Sequence, residues 1–233
     1  MTGFLSSENW ISELPARVRS AVETRMITIE VPAGATFRRT GETADGLFQV
    51  QKGYLRLLGL HSDGRQILIL IYRDGNTFGE TAVVAKRPLN HTTVALTDTR
   101  VNQVPLADFW DLYRTHPEIP ESLCRKFAHN ISKSFVRREL RATLRLRGQI
   151  AKMFTNIAEF CGEPAGAGWL RCSLPITHTD IAEHLEVTRQ AVQREMSAMS
   201  DAGVLQKRGG HWYLRAGELE RESLLEPIAC SAL

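Results

Sequence analysis

The sequence predicts an α+β chain: an N-terminal antiparallel β-roll of jelly-roll type, a long dimerisation helix and a C-terminal winged helix-turn-helix. Three observations carry that prediction. Between residues 26 and 110, short β-prone runs alternate with glycine-marked turns. From Ile119 to Leu146 an apolar pattern of helical period runs on, and no proline interrupts Glu121 to Glu163. From Ile176 to Met199 two short helical patterns follow one another, each behind a threonine, and a hairpin pattern comes after them. The expected divisions are a β-roll with N-terminal helices (1–117), a connecting helix (118–147), the winged helix-turn-helix (148–217) and a tail (218–233). At 233 residues and 43% hydrophobic content there is chain enough for two modest cores.

Taken in order, Phe4, Leu5, Trp10, Ile11, Leu14, Val18 and Val22 predict one or two short amphipathic helices packed on the segment after them. The expected strands are Ile27–Val31, Leu47–Val50, Tyr54–Leu60, Ile67–Tyr72, Thr92–Leu96 and Val101–Val104. Regular short strands with turn signals between them make an antiparallel sandwich or barrel. His61-Ser62-Asp63-Gly64 has the composition of a hairpin turn, because Asp-Gly tolerates positive φ. Gly75-Asn76-Thr77-Phe78-Gly79-Glu80-Thr81-Ala82 is a glycine-rich turn running into a short helix, which presents free N–H groups to an anionic ligand. Beside it Glu80 can accept from sugar hydroxyls, and Thr92 and Thr93 can donate. The plainer reading is a β-roll corner that Glu80 caps.

On the connecting helix, Cys124, Ala128, Ile131 and Phe135 form one apolar ridge, and Val136, Leu140 and Leu144 continue apolar contact from another side. Apolar residues on more than one face of so long a helix predict packing against a second copy, hence a homodimer. Gln149 to Phe160 is a further helix with Ile150, Phe154, Ile157 and Ala158 inward, and Trp169 to Leu174 a strand. Thr177, three residues before Asp180, can close a capping box on the next helix. There Ile181, Ala182 and Leu185 face inward while Thr179, Glu183 and His184 face away. Thr188 caps the second helix, with Val192, Met196 and Met199 as its apolar stripe and Arg189, Gln190, Gln193 and Arg194 on other faces. Gly203 ends it. Val204 to Arg208 and His211 to Arg215, joined by Gly209-Gly210, make the wing. An outer face of long hydrogen-bonding side chains suits the major groove of double-stranded DNA.

The net charge of +3 says less than its placement. Arg125 to Arg147 holds eight Lys/Arg against one Asp/Glu, a local +7, whereas Gly148 onward holds eight against eleven, or −3. Such a run is usually a solvated helix face. Cys124, Cys161, Cys172 and Cys230 are scattered with no CxxC pair, which fits free thiols in a reducing cytoplasm and neither a disulfide framework nor a zinc site. The opening MTGFLSSENWISEL lacks a signal-peptide pattern and no apolar run approaches a bilayer's thickness, so the expected location is cytoplasmic, with no membrane partner.

Over residues 25 to 215 the order of β-roll, long helix and winged helix-turn-helix resembles the Crp/Fnr superfamily of bacterial transcription regulators. Phe78-Gly79-Glu80-Thr81-Ala82 is similar to the family's phosphate-binding cassette, whose Gly-Glu pair meets a ribose. Val187-Thr188-Arg189-Gln190-Ala191-Val192-Gln193-Arg194 is similar to its recognition helix. The resemblance implies a homodimeric, sequence-specific transcription regulator, with a pseudo-palindromic operator in double-stranded DNA as one partner and RNA polymerase as another. Arg189, Gln190 and Arg194 are the expected base contacts, since Arg pairs bidentately with guanine and Gln with adenine. Thr177, Thr179, Thr188, Gln193, Lys207, Arg208 and His211 are the expected backbone contacts, which set register without reading sequence. The implied effector pocket comprises Gly79, Glu80, Thr81, His91, Thr92, Thr93 and Ser134.

In cyclic-AMP-binding members an Arg downstream of the Gly-Glu pair meets the cyclic phosphate. Here Asn90 or His91 stands in its place, and a largely neutral His does not replace the fixed charge of a guanidinium. That argues against cyclic AMP as cofactor and leaves the effector open. No cysteine precedes Cys124, so an iron–sulfur cluster is not expected. The alternatives are a cyclic-AMP-dependent activator of the ordinary kind, or a haem- or redox-responsive member using His61, His91 or Cys124, although a lone His or buried Cys is more often structural. An enzyme on a similar β-barrel would want clustered histidines, and His61, His91, His116 and His129 are isolated; no catalytic residue and no metal site are expected. A nucleotide-binding module acting on a protein partner is disfavoured by the outward Arg/Gln face.

Overall fold

The structure is a computed structural model, and it describes residues 4–224. They fall into two compact units: Ser6–Ile131, and the described parts of Met1–Leu5 with Ser132–Leu233.

In the first unit, helix α1 (Ala16–Glu23) starts behind Pro15, which has no N–H to leave unpaired. Trp10, Ile11 and Leu14 are buried ahead of it in turns, so one helix forms here and not two. Then come β1 (Ile27–Val31), β2 (Thr36–Arg38), β3 (Gly46–Lys52), β4 (Leu55–Leu60), β5 (Gln66–Tyr72), β6 (Thr77–Phe78), α2 (Glu80–Ala85), β7 (Thr92–Ala95), β8 (Thr99–Pro105) and α3 (Leu106–Thr115). The strands form two four-stranded antiparallel sheets, ordered β1-β8-β3-β6 and β2-β7-β4-β5. Phe37, Phe48, Val50, Leu55, Phe78 and Ala95 make a core to which both sheets contribute. A second core gathers Trp10, Leu14, Val18 and Val22 with Phe109, Leu112, Ile119 and Leu123. Strands β2 and β6 were not expected, since three residues or fewer cannot display an alternation.

Helix α4 (Glu118–Thr143) runs from the first unit into the second. Pro120 lies in its first turn, where a missing N–H costs nothing. The helix stops three residues before the expected Leu146, and α5 (Leu146–Cys161) follows at once. The second unit continues with β9 (Gly162–Pro164), β10 (Leu170–Cys172), α6 (His178–Leu185), α7 (Arg189–Asp201), β11 (Leu205–Arg208), β12 (His211–Leu214) and α8 (Ala216–Leu224). Its sheet has the order β11-β12-β10-β9. Gly209 and Gly210 both have positive φ, 54° and 82°, which matches the right-handed twist of the hairpin they join. Phe154 and Trp212, both buried, meet edge to face with centroids 5.1 Å apart.

The segment from 218 begins within α8, which buries Leu219, and Arg147 donates twice to the Glu222 carboxylate at 2.6 Å. Residues 225–233, Cys230 among them, lie outside the described residues. Phe4 and Leu5 group apart from the segment after them. They belong to the second unit, where the Leu5 N–H donates to Asn156 Oδ1 at 2.8 Å and the Phe4 ring meets His184 edge-on at 4.9 Å. His184 is consequently buried, 3% exposed, and not outward-facing. Nor is the basic run a simple solvated face: Arg125, Lys126, Arg141 and Arg147 are ion-paired to Glu121, Glu80, Glu186 and Glu222.

Candidate functional site

The helix pair α6–α7 is set by its caps. The Thr177 hydroxyl accepts from the Asp180 N–H at 3.2 Å and donates to Asp180 Oδ2, which also accepts from the Thr177 N–H; the box is closed in both directions. The Thr188 hydroxyl accepts from the Ala191 N–H at 3.2 Å, making Arg189 the first residue of α7. Val192, Met196 and Met199 are buried beneath, so the helical period turns Arg189, Gln190, Gln193 and Arg194 outward, and all four are exposed. Thr179 is exposed on α6. His178 shows how the charges converge: its pKa is lowered by burial first and then by Lys207 and Arg189, cations close enough to oppose its own protonation.

The wing holds its cations differently. Lys207 Nζ lies 4.7 Å from the Trp212 ring centroid and donates to the Ile176 carbonyl at 3.3 Å. Much of that side chain's reach is used inside the unit. Arg208 donates to Gln206 and lies 5.8 Å from the Tyr213 centroid. His211 is half-buried, and its Nδ1 has no hydrogen-bond partner among the described residues.

In the first unit, Gly79 ends β6 with φ of 94°, a left-handed conformation. A Cβ there would stand 3.0 Å from Phe48 Cδ2 and 3.2 Å from the Gly46 carbonyl, so the position requires glycine twice over. Glu80 follows as the first residue of α2 and is 2% exposed. Its Oε1 accepts from Lys126 Nζ at 2.7 Å and from the Trp10 indole at 2.9 Å. Lys126, itself 7% exposed, sends further bonds to the carbonyl and hydroxyl oxygens of Thr77, at 2.8 and 2.9 Å, which uses all three of its protons. The carboxylate proposed for sugar hydroxyls is therefore held by the chain's own cation. Lys126 and Trp10 were missed in the sequence. The available signal was a lone lysine among Ile119, Leu123 and Phe127 on a helix face that is otherwise buried.

The other cassette residues are scattered in role. Thr81 and Ser134 are exposed. The Thr92 hydroxyl accepts from the Thr40 N–H at 3.1 Å. Thr93 is buried on β7, and its hydroxyl has no partner among the described residues. His91 lies over Gly59 of β4, and desolvation lowers its pKa, so it is neutral near pH 7 and brings no positive charge to an anion. Among the described residues no group of three or more His, Cys, Asp or Glu could hold a metal ion, and no helix is long and apolar enough to cross a membrane.

The cyclic nucleotide-binding domain family matches residues 28–116, and the Crp-like helix-turn-helix domain family matches residues 145–222. A CRP-like cAMP-activated global transcriptional regulator from Mycobacterium tuberculosis is 23% identical over 190 residues, covering 82% of this chain and 84% of the relative. The global nitrogen regulator of Synechocystis is 21% identical over 182 residues, covering 75% and 80%. Among solved structures, a CRP/FNR-family transcriptional regulator from Thermus thermophilus superposes with a TM-score of 0.69 at 21% identity, covering 86% of this chain and 100% of the other. A c-di-GMP-responsive global regulator from Xanthomonas campestris gives 0.71 at 15% identity, covering 86% and 99%. Two matched domains in the right order, with capped helices, a wing and a glycine-glutamate cassette where each belongs, assign this chain to the Crp/Fnr superfamily of DNA-binding transcription regulators.

Proposed function

We propose that the protein reads a pseudo-palindromic operator as a homodimer, and does so without cyclic AMP or cyclic GMP. One observation carries the reading of DNA: Thr188 starts α7 so that Arg189, Gln190, Gln193 and Arg194 are all exposed over a buried stripe. Arg189, Gln190 and Arg194 meet base edges. Thr179, Thr188, Gln193, Arg208 and His211 meet phosphates, while Thr177 and Lys207 act mainly through the fold that presents them. The dimer is supported by α4, where Ile131 and Phe135 are 56% and 66% exposed on the ridge with Cys124 and Ala128. Rings and branched chains so exposed favour a second copy of the helix. Two heads so joined stand about 34 Å apart, one turn of DNA. Independence of cyclic nucleotides rests on Glu80, already bonded to Lys126 and Trp10, and on neutral His91. The family resemblance supports RNA polymerase as a further partner, and the scattered thiols without a CxxC pair support the cytoplasm as location.

The test selects binding sites from randomised duplex DNA with the purified protein, then measures affinity by fluorescence anisotropy at fixed salt, with and without either nucleotide. A palindrome bound equally in all conditions is the expected result. Selection of no site overturns the operator reading, and binding that tightens only with nucleotide overturns the sensor reading.

A further inference from the structure

Arg141 ties helix α4 to the helix-turn-helix. Arg141, near the C-terminal end of α4, donates from Nη2 to the His184 carbonyl at 2.5 Å and from Nη1 to the Glu186 carboxylate. The His184 carbonyl belongs to the last turn of α6, where carbonyls lack intrahelical partners and a cation suits the negative end of the helix. Glu186 closes that helix with φ of 58°. Its N–H and that of Val187 both return to the Ala182 carbonyl, the turn that glycine makes without strain. The chain places a charged side chain at this strained position, two residues before the Thr188 cap and three before Arg189.

Leu140, Leu144, Met153 and Leu185 line an open cleft beside Arg141. The polar contacts of Arg141 tie the turn to the end of α4 at the edge of this cleft. We infer that Arg141 is a positioning residue for operator reading: through Glu186 and the His184 carbonyl it holds the turn, and with it the start of the recognition helix, at one angle to α4. In a dimer joined along α4, that angle sets the separation of the two reading heads. The inference rests on the proposed reading of a palindrome by a dimer.

The test uses the full-length protein and the palindrome selected by it, together with two versions whose half-sites stand one base pair closer or farther apart. Arg141→Gln, Glu186→Gln, the double variant and Glu186→Gly are compared with the parent for affinity, spacing discrimination and thermal melting. Each single Gln variant is expected to bind the selected site about five- to tenfold more weakly and to discriminate less between spacings. The double variant should bind no more weakly than Arg141→Gln. Glu186→Gly relieves the backbone strain, so it should melt at or above the parent while losing spacing discrimination, a combination that a merely structural role does not produce. Additive losses, or intact discrimination in both single Gln variants, would overturn the clamp. A parent without spacing preference overturns the operator reading itself, and does so before any substitution is made.

Discussion

The cassette and the start of the recognition helix are built from similar parts and end in opposite conditions. Each places a charged side chain at the first position of a helix, Glu80 on α2 and Arg189 on α7. Glu80 is buried and meets a lysine brought from α4, 46 residues away in sequence. Arg189 is exposed, with a cap behind it made three residues apart, Thr188 to Ala191. A local motif states which group is present; whether the group is available depends on partners that arrive from elsewhere in the chain.

The largest test of that contrast is Lys126→Met. Breaking a buried ion pair leaves a lone carboxylate in the core, and the cost should be about 3 kcal/mol or more in urea unfolding. Adding Glu80→Gln removes the stranded charge, so the double variant should recover part of the loss. If Lys126→Met unfolds like the parent, Glu80 is not held as described and the contrast collapses.

Arg189→Ala should leave unfolding unchanged and weaken selected-site binding by roughly 1–3 kcal/mol, about five- to 150-fold, with little effect on unrelated duplex. A uniform loss on all DNA would make Arg189 a phosphate contact. Gly79→Ala tests the cassette backbone: forcing a side chain into φ of 94°, with its Cβ 3.0 Å from Phe48, should cost about 1–3 kcal/mol of stability.

The smallest expected effect is on pH. The pKa of free His178 lies below its ordinary 6.5, through burial and then Lys207 and Arg189. Phosphates near those cations would screen them and raise it, so the complex binds more protons than the free protein. Operator affinity should then tighten as the pH falls through the bound-state pKa, and stop changing below the lower free-state value. His178→Gln should remove that part of the pH profile. An affinity that weakens with acid, through this residue, would place His178 away from the phosphates.

Much of the fold was legible because its signals are local. Ile27–Val31 matches the expected strand residue for residue, and the capping threonines and the double glycine mark α6, α7 and the wing within a few positions. Helix α3 carries Leu106, Phe109 and Leu112 at helical spacing, yet β8 runs straight into it through Pro105 with no polar loop to punctuate the change. The candidate sites were legible by residue type and not by state. Nothing near Glu80 in sequence announces Lys126 or Trp10, and nothing near Glu186 announces Arg141. His184 fits an outward position by period alone; a ring from residue 4 covers it.

That ring also bears on modularity. The Leu5 N–H and its acceptor on Asn156 are 151 residues apart in sequence, so during synthesis the segment that joins the second unit must wait for the whole of the first to be made. A fragment cut from 132 to 224 would contain every element of the helix-turn-helix and still lack Phe4 on His184 and the donor to Asn156. The DNA-reading half of this regulator is thus not a contiguous stretch of chain, and grafting it elsewhere would require carrying Phe4 and Leu5 along.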